Sequence, residues 1–339
     1  MSKLGLKDIA KVFGVSVSTV SKALHDSAEI SVALREKIQA YAKENNYRRN
    51  LLAVNLISKQ TKTIAVVVPD VLNYFFTQVF AGVQKVANAR GYKIISCITA
   101  DSLEQEIELS DYLASGTVDG VILSLAQETQ FSENFKHLSM LSAADIPLVM
   151  FDRVTDAVDC DKLVVDDLEG ARRATQHFIN TGSRTIAVVT PIDRSSVGKL
   201  RLEGYKKALA ENEIAYDEKL VLRLSPKDNL DLLMSFLLNY KSIESILVFD
   251  EVTAVEVLRI VKSRGYSVPE HISIIGFTSG MVSRYVTPSL TVVSQHGSYL
   301  GENAATMLID RIEGKGATAG YVTKTVKTSL IVRDSTRKV

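Results

Sequence analysis

Cysteine is scarce in this sequence, and its scarcity excludes two classes of protein. The 339 residues include only two cysteines, Cys97 and Cys160, whereas small secreted folds are held together by several paired cysteines. Neither cysteine lies in a Cys-x-x-Cys or histidine-rich spacing of the kind that holds zinc. We therefore interpret both as packed thiols and predict neither a metal site nor a cofactor.

Long apolar runs are missing as well. No stretch approaches the ~20 uninterrupted apolar residues that cross a bilayer, and the first residues lack the apolar core of a secretory signal. We therefore expect a cytoplasmic protein with no membrane contact. The motifs Gly-x-Ser-x-Gly, Gly-x-x-x-x-Gly-Lys, His-Glu-x-x-His and Gly-x-Gly-x-x-Gly do not occur either, so no catalytic residue is predicted.

Charge is distributed unevenly, although the whole chain carries only +1. Residues 1–62 contain eleven Lys or Arg and five Asp or Glu, which gives +6, and the remaining 29 basic and 34 acidic residues give −5. A basic unit ahead of an acidic body has the electrostatics of a nucleic-acid-binding headpiece. A solvated basic face without a ligand is the alternative that charge alone leaves open.

The apolar pattern predicts three helices within residues 1–49. The first helix carries apolar residues at helical spacing, namely Leu6, Ile9, Ala10 and Phe13. Gly14 supplies the turn that follows, and Ser16 is placed to cap a second helix from Val17 to Leu24. A third helix begins after Ser31 and runs to about Asn45. This arrangement is typical of a helix-turn-helix unit.

The second helix of such a unit enters the major groove of DNA. Its outer residues Val17, Ser18 and Lys22 are predicted to meet base edges, since valine contacts a thymine methyl and lysine reaches guanine acceptors. The remaining predicted DNA contacts of the unit, most of them suited to phosphates, are Leu6, Ser16, Thr19, Ser21 and His25. The alternatives are that Ser16 is a helix cap only, that Thr19 is half-buried packing and that His25 is a loop residue without a ligand.

The run from Leu6 to Leu24, continued by Glu29-Ile30-Ser31, Arg35-Glu36-Lys37 and Asn45-Asn46-Tyr47, resembles the headpiece of the LacI/GalR family of bacterial transcription regulators. Matching stretches at Thr287 to Thr291 and Leu330 to Thr336 extend the resemblance over the whole chain. Two residues depart from the family pattern. Gly5 stands where a capping Thr is usual, and Arg49 stands where a Pro usually precedes the next residue.

Residues 50–61 are predicted to form a hinge helix and linker. Asn50 to Ser58 is a capped helical stretch of under three turns, and so short a helix is marginal alone in water. In the resembled family this helix pairs with its dimer mate in the minor groove and inserts a leucine between base pairs. Leu56 occupies that position, and Asn50 and Ala53 are further predicted contacts. Ordinary packing of Leu56 against the body is the alternative.

The body, residues 62–339, alternates β-branched runs with helical periods, which predicts parallel sheets covered by helices. The runs are Ile64 to Val68, Lys93 to Ile98, Val118 to Ser124, Ile146 to Phe151, Thr185 to Thr190, Ser245 to Phe249 and Ile272 to Phe277. We predict two doubly wound lobes, one of about 62–159 and 291–322 and the other of about 160–290 and 323–339. The resemblance implies a type I periplasmic-binding-protein-like α/β fold with three crossovers, one of them at 287–291.

Ligands of doubly wound sheets bind beyond the carboxyl ends of the strands, which predicts a polar cleft there. The residues that follow the strands are Asp70, Ser124, Asp152, Arg153, Thr190, Asp250, Glu251 and Thr278. Tyr74 and Phe75, after the first strand, offer an aromatic ring for the face of a sugar. A helix cap is the alternative for any one of these residues. The resemblance adds Arg201 and Gln295 as effector contacts.

Thr278 stands where the resembled family generally carries an Asp that holds effector hydroxyls. Because Arg153 and Arg201 remain, we predict a sugar acid or sugar phosphate as effector in preference to a neutral sugar. The whole pattern predicts a homodimeric repressor of a carbohydrate-utilisation operon that binds a pseudo-palindromic site on double-stranded DNA and is released by the effector. The alternative is a sugar-binding or sugar-processing protein with an accessory basic head.

Overall fold

A computed structural model describes residues 4–47, 60–225, 227–278, 280–315 and 320–338. The chain divides into two compact units, 1–60 and 61–339, and each is described by itself. The predicted hinge helix, with Asn50, Ala53 and Leu56, lies outside the described residues. No helix within the described ranges is long and apolar enough to cross a membrane.

The first unit contains three helices, α1 Leu6–Phe13, α2 Val17–Leu24 and α3 Val32–Glu44. They pack around a small apolar core of Ile9, Ala10, Val20, Ala23, Ile38 and Ala42, which includes two of the apolar residues that predicted the first helix. Gly14 follows α1 at φ 63°, a conformation that glycine adopts without strain. The Ser16 hydroxyl accepts the Thr19 N–H at 3.0 Å and so caps α2. Ser31 precedes α3 as predicted, but its side chain makes no capping hydrogen bond.

The second unit contains two six-stranded sheets, each covered by helices on both faces. The first sheet has the order β2-β1-β3-β4-β5-β11, and all of its strands are parallel. Its strands are β1 Thr63–Val68, β2 Lys93–Ile98, β3 Gly120–Leu123, β4 Leu148–Phe151, β5 Asp161–Val165 and β11 Thr323–Val326. Strand β2 is an edge strand with Ile98 44% exposed, so the prediction that it is buried on both faces was wrong.

The second sheet has the order β7-β6-β8-β9-β10-β12. Its strands are β6 Ile186–Thr190, β7 Val221–Arg223, β8 Ser245–Val248, β9 Ser273–Phe277, β10 Thr291–Ser294 and β12 Ser329–Ile331. Only the pairing of β10 with β12 is antiparallel among these strands. The doubly wound architecture predicted from the alternation of strands and helices is therefore confirmed.

Ten helices accompany the strands in the described part of this unit. They are α4 Tyr74–Ala89, α5 Leu103–Ala114, α6 Gln127–Ser132, α7 Ser139–Ala143, α8 Asp167–Asn180, α9 Ser196–Glu211, α10 Leu230–Tyr240, α11 Glu251–Ser263, α12 Val282–Tyr285 and α13 Gly297–Ile312. Helices α4 and α13 cover one face of the first sheet, where Val66, Val79 and Leu308 share an apolar cluster. Helices α8 and α9 cover one face of the second sheet, around Phe178 and Tyr205.

The chain crosses between the lobes three times, as the family resemblance implied, but not where predicted. Strand β5 lies in the first sheet and α8 packs on the second. Strand β10 lies in the second sheet and α13 packs on the first, and β11 and β12 lie in different sheets. The expected lobe boundaries at 159/160, 290/291 and 322/323 were therefore wrong, and so was a crossover at 287–291. Strand partners are chosen by long-range pairing, which local apolar patterns do not encode.

The entrance to the second unit is fastened by a single carboxylate. Asp119, just before β3, accepts the Thr61 N–H at 2.6 Å, the Thr61 hydroxyl at 2.8 Å and the Lys62 N–H at 2.8 Å. These bonds tie the chain to the sheet immediately before β1 begins. The start of the body is thus fixed to the first lobe.

Candidate functional site

The outer side of α2 is the candidate DNA-reading face. Val17, Ser18 and Lys22 are exposed on this helix, opposite the buried Val20 and Ala23. A 39% exposed valine beside a serine and a lysine has the composition of a surface that reads base edges. The structure thus places all three predicted base-reading residues on one face.

The other predicted DNA contacts of the first unit surround this face with differing exposure. Ser16 is exposed and its hydroxyl lies 2.8 Å from that of Thr19. The exposed His25 has its Nδ1 2.6 Å from the Ser21 carbonyl oxygen. Leu6 is half-buried and packs against the apolar core, so only part of its side chain is open to a ligand.

Lys22 is ion-paired with Glu29 in the free protein. Both side chains are largely exposed, at 45% and 67%. An exposed pair contributes only about 0 to 1 kcal/mol, whereas a good contact with a base is worth about 1 to 3 kcal/mol. The ion pair therefore holds Lys22 near the reading face without preventing its transfer to a base.

A cleft opens at the carboxyl ends of both sheets in the second unit. It contains an outer cavity of about 680 Å³ and a small inner cavity of about 40 Å³, which share several lining residues. Of the predicted effector contacts, Asp70, Arg153 and Asp250 line the outer cavity. Those that line the inner cavity are Phe75, Asp152, Arg153, Arg201, Asp250, Glu251, Thr278 and Gln295. Tyr74, Ser124 and Thr190 line neither.

Two arginines in the cleft are already engaged. The Arg201 Nε donates to Asp167 Oδ1 at 2.7 Å, its Nη1 donates to the Phe249 carbonyl at 2.5 Å, and its guanidinium lies 4.1 Å from the centre of the Phe277 ring. Arg153 donates to Asp101 Oδ1 at 2.5 Å. The Nε of Arg153 is buried and has no hydrogen-bond partner within the described residues. It is a buried donor that remains available to a ligand.

Asp152, which directly follows β4, has a buried carboxyl group and a left-handed backbone conformation with φ 59°. It is 6% exposed, and its Oδ1 has no partner in the described parts of the chain. Burial raises the pKa of Asp152 to about 6, and Asp167 adds to this rise while Arg153 and Arg201 oppose it. Burial also raises the pKa of Asp167, against the effect of Arg201.

Two further carboxyl groups lie at the start of α11. Asp250 caps the helix by accepting the Thr253 N–H at 3.0 Å, and its other oxygen is buried without a partner among the described residues, as is one oxygen of Glu251. Burial raises the pKa of both Asp250 and Glu251, and a hydrogen bond from Thr278 partly offsets the rise for Glu251. Glu251 therefore brings a carboxyl group beside the position where Thr278 lacks one.

A hydrogen-bonded bridge joins the two lobes beside the cavities. Gln130, in α6 of the first lobe, donates from Nε2 to the Ser196 hydroxyl at 2.9 Å and accepts the Ser196 N–H at 3.0 Å. Next to this bridge, the guanidinium of Arg194 lies 4.9 Å from the centre of the Phe131 ring. Because Ser196 begins α9, which also carries Arg201, the bridge links α6 to the helix that holds a wall of the inner cavity.

Among the cleft residues that the sequence did not predict are Asp167 and Asp101, the ion-pair partners of the two arginines, and Ile192, Asp193 and Arg194, which line the cavities. Asp167 pairs with Arg201 and follows β5, a strand that the apolar pattern did not reveal. Asp101 pairs with Arg153 but lies beyond the first residue after β2. The first residue after β5 is Asp166, so taking the residue after each strand would have missed Asp167 even had β5 been recognised. In the described part of the chain no cluster of acidic, histidine or cysteine residues is arranged to hold a metal ion.

Two family descriptions match this chain. The description "Bacterial regulatory proteins, lacI family" matches residues 5–50, which contain the three helices of the first unit. The description "Periplasmic binding protein-like domain" matches residues 175–336, which include all six strands of the second sheet and the last two crossovers. The two matches thus cover the DNA-reading face and much of the cleft.

Curated relatives and solved structures match the chain over nearly its whole length. It is 29% identical over 318 residues to the HTH-type transcriptional repressor PurR of Vibrio atlanticus (strain LGP32), a match that covers 91% of this chain and 92% of that one. A transcriptional regulator CelR-cellobiose complex is 28% identical with a TM-score of 0.72 and covers 98% of this chain and 100% of that one.

The fold is also that of a lac repressor dimer bound to operator and the anti-inducer ONPF. That structure has a TM-score of 0.85 at 24% identity and covers 99% of each chain. The helix-turn-helix unit, the two parallel-sheet lobes and these matches lead to one conclusion. The chain belongs to the lacI family of bacterial DNA-binding transcriptional regulators and carries a periplasmic-binding-protein-like effector domain.

Proposed function

We propose that this regulator represses carbohydrate-utilisation genes and that a hydroxyl-rich small molecule in the interlobe cleft controls its binding to DNA. The observation that carries the proposal is the set of buried polar atoms without partners, among them Asp152 Oδ1 and Arg153 Nε, on the cleft walls. Polar atoms buried in this way are costly unless a ligand or an ordered water satisfies them. Regulators of this family are not enzymes, which argues against a sugar-processing activity.

The class of effector is supported by the cleft and by one relative. A CelR regulator is described in complex with cellobiose, and the cleft of the present chain offers carboxyl and guanidinium groups of the kind that hold sugar hydroxyls. The sequence favoured a sugar acid or sugar phosphate. That preference stays a prediction, and the engagement of Arg201 by Asp167 and of Arg153 by Asp101 weighs against it.

A homodimer on a pseudo-palindromic operator is the proposed DNA-bound form. The lac repressor structure with the same fold is described as a dimer bound to operator, and a two-fold protein matches a site with two related halves. In this proposal the outer face of α2 reads base edges through Val17, Ser18 and Lys22. Asn50, Ala53 and Leu56 of the hinge segment contact the minor groove.

Effector binding is proposed to act by shifting a two-state equilibrium between the lobes. Because the chain crosses between the lobes three times, a change in the angle between the lobes also moves the first lobe. Asp119 ties the entering chain to that lobe. A ligand shifts such an equilibrium only by its difference in affinity for the two forms. We take release of DNA by effector as the direction, which makes the protein a repressor.

The DNA-reading role is tested with Lys22→Ala against Lys37→Ala, an equal change of charge at an exposed position on α3. An operator is first selected from random DNA with the full chain, and affinities for operator and random DNA are then measured by fluorescence anisotropy. Lys22→Ala is expected to cost about 1 to 3 kcal/mol at the operator and less on random DNA. Equal losses on both DNAs would show that Lys22 contacts phosphate and reads no base.

A further inference from the structure

We infer that the effector carries a protonated amine beside its hydroxyl groups, as an amino sugar does, and that the amine binds among Asp152, Asp250 and Glu251. This inference rests on the proposed effector role of the cleft and names its ligand class. All three residues line the inner cavity. Each has one carboxyl oxygen that is buried and has no hydrogen-bond partner in the described residues. The inner cavity therefore presents three unsatisfied acceptors.

The arginines of the cleft do not neutralise these three acids. Arg201 is held by Asp167 and Arg153 by Asp101. Around the inner cavity and its ion pairs, the carboxyl groups of Asp101, Asp152, Asp167, Asp250 and Glu251 accompany the guanidinium groups of Arg153 and Arg201, and the outer cavity adds those of Arg194 and Arg223. Three carboxyl groups remain without a cation of their own. Asp152 is the most buried of the three, at 6% exposed.

The chemistry of these groups selects the ligand. A carboxylic or phosphate group would add a negative charge where negative charges already outnumber positive ones, and close like charges repel by several kcal/mol. A neutral hydroxyl satisfies an acceptor but leaves a buried charge uncompensated. An ammonium group satisfies an acceptor and also compensates the buried charge, because it brings three donors and a positive charge. The free Arg153 Nε then remains as a donor to a ring oxygen or a hydroxyl of the same ligand.

Protonation of the cleft gives this inference a signature in pH. Four elements bring charged groups to the inner cavity. Asp152 and Arg153 follow β4, Asp167 begins α8, Arg201 lies in α9, and Asp250 and Glu251 stand at the start of α11. Burial raises the pKa of each of these four carboxyl groups, and that of Asp152 to about 6. An ammonium ion competes with the protons that these groups take up. Its affinity is therefore expected to rise as the pH increases from 5.5 to 7.5, and binding releases protons.

The experiment is calorimetric titration of the full-length protein with matched sets of sugars. Each set contains a neutral sugar, its 2-amino form and its uronic acid, for glucose, galactose and mannose. The tightest ligand is expected to be an amino sugar that binds at least tenfold more strongly than its neutral parent, with weaker binding at pH 5.5 than at pH 7.5. A neutral or acidic sugar as the tightest ligand overturns the inference, and so does a panel in which no amino sugar binds.

Variants locate the amine. Asp250→Asn and Glu251→Gln keep the shape of each side chain and remove its charge, so each is expected to weaken binding of the amino sugar about tenfold more than binding of its neutral parent. Asp145→Asn is the control, because Asp145 is exposed at φ 55° and asparagine tolerates that conformation. Equal losses for the amino sugar and its parent contradict the amine site.

Operator binding, measured beside sugar binding, distinguishes failure of the amine site from failure of the proposed sugar effector. If operator binding persists and a neutral sugar binds best, the amine fails while the sugar-controlled regulator stands. If operator binding persists and no sugar of any class binds, the sugar effector fails together with the amine. Thermal unfolding of each variant establishes that a lost titration signal reflects binding and not loss of the fold.

Discussion

At the scale of single residues, Asp152 combines features that rarely occur together in one side chain. It lies at φ 59°, it is almost fully buried, and one of its oxygens lacks a partner among the described residues. Non-glycine residues at positive φ are uncommon, although Asp and Asn are the most tolerant of them. Backbone strain and an uncompensated carboxyl group in a cleft are both typical of binding sites, where stability is lost for function.

Asp152→Asn is expected to stabilise the empty protein in a pH-dependent way. The folded-state pKa of Asp152 is raised from 3.8 to about 6, so folding favours its neutral form. The stabilising contribution is fully present below about pH 4 and is lost as the pH rises through about 6. Asparagine does not titrate, and its advantage over the wild-type residue is expected to be about 1 to 2 kcal/mol larger at pH 8 than at pH 5.

Urea denaturation of both proteins at pH 5 and pH 8 measures this difference. Asp145→Asn serves again as the control and is expected to behave as the wild-type protein at both pH values, since Asp145 is exposed. An advantage of Asp152→Asn that is the same at both pH values would mean that the Asp152 carboxyl group titrates alike in the folded and unfolded chain.

The sequence predicted much of the site at this scale because the residues after buried strands point into one cleft. Asp152, Arg153, Asp250 and Thr278 were identified in this way and all line the inner cavity. The anion preference drawn from Thr278 gave no weight to Glu251, whose carboxyl group lies in the same cavity as that threonine. That Asp250 and Glu251 both line the cavity, each with a buried oxygen that has no partner in the described residues, is decided by packing that a linear pattern does not contain.

At the scale of elements, each lobe contains a pair of helices whose backbones cross at glycine. In the first lobe, a Cβ atom built on Gly301 of α13 would lie 2.0 Å from the carbonyl oxygen of Val79 in α4. In the second lobe, a Cβ atom on Gly204 of α9 would lie 2.1 Å from the carbonyl oxygen of Leu168 in α8. Helices α8 and α13 each follow a crossover between lobes, so these close contacts hold in place the first helix that the chain forms after that crossover.

Gly301→Ala is expected to destabilise the protein, because the added methyl group meets main-chain atoms that cannot rotate away. Overpacking of this kind typically costs about 1 to 3 kcal/mol. Gly320→Ala is the matched control, since no atom lies within 4 Å of its added Cβ. The midpoint of thermal unfolding is expected to fall for Gly301→Ala and to stay unchanged for Gly320→Ala. An unchanged midpoint for both would mean that α4 and α13 separate at little cost.

The elements that the sequence did not predict have identifiable causes. Strand β5 begins with Asp161 and Lys162, and two charged residues in a row are typical of a surface turn. Both are nevertheless buried, since Asp161 pairs with Arg311 at 2.7 Å and Lys162 pairs with Asp156 at 2.6 Å. Strand β7 has only three residues, too few for a periodic signal. The assignment of β5, β10 and β11 to lobes depends on pairing partners distant in sequence, which explains why the lobe boundaries were wrong.

At the scale of the whole molecule, charge is divided between the two units. Residues 1–62 carry +6 and the rest of the chain −5, so attraction to a polyanion is concentrated in the first unit and is opposed by the second. Exposed charges are screened over about 8 to 10 Å at ordinary ionic strength, and buried charges are screened much less. The two proposed ligands, DNA and an amine in the cleft, are therefore expected to respond differently to salt.

Operator affinity is expected to fall steeply with salt while effector affinity changes little. A protein that releases counterions from six or more phosphates loses roughly a thousandfold in affinity between 50 and 200 mM salt. Over the same range the amino sugar is expected to lose less than about threefold, because its partners are buried. Anisotropy for DNA and calorimetry for the sugar measure both dependences on one preparation. A salt-independent operator affinity would contradict a phosphate-dominated contact by the basic unit.

The hydrogen bonds from Thr61 and Lys62 to Asp119 also affect how this end of the sheet can open. One carboxylate accepts two consecutive main-chain N–H groups and a hydroxyl at the point where the chain enters β1. Opening at this point must break all three hydrogen bonds together, so it is a cooperative event and not a fraying of one residue at a time.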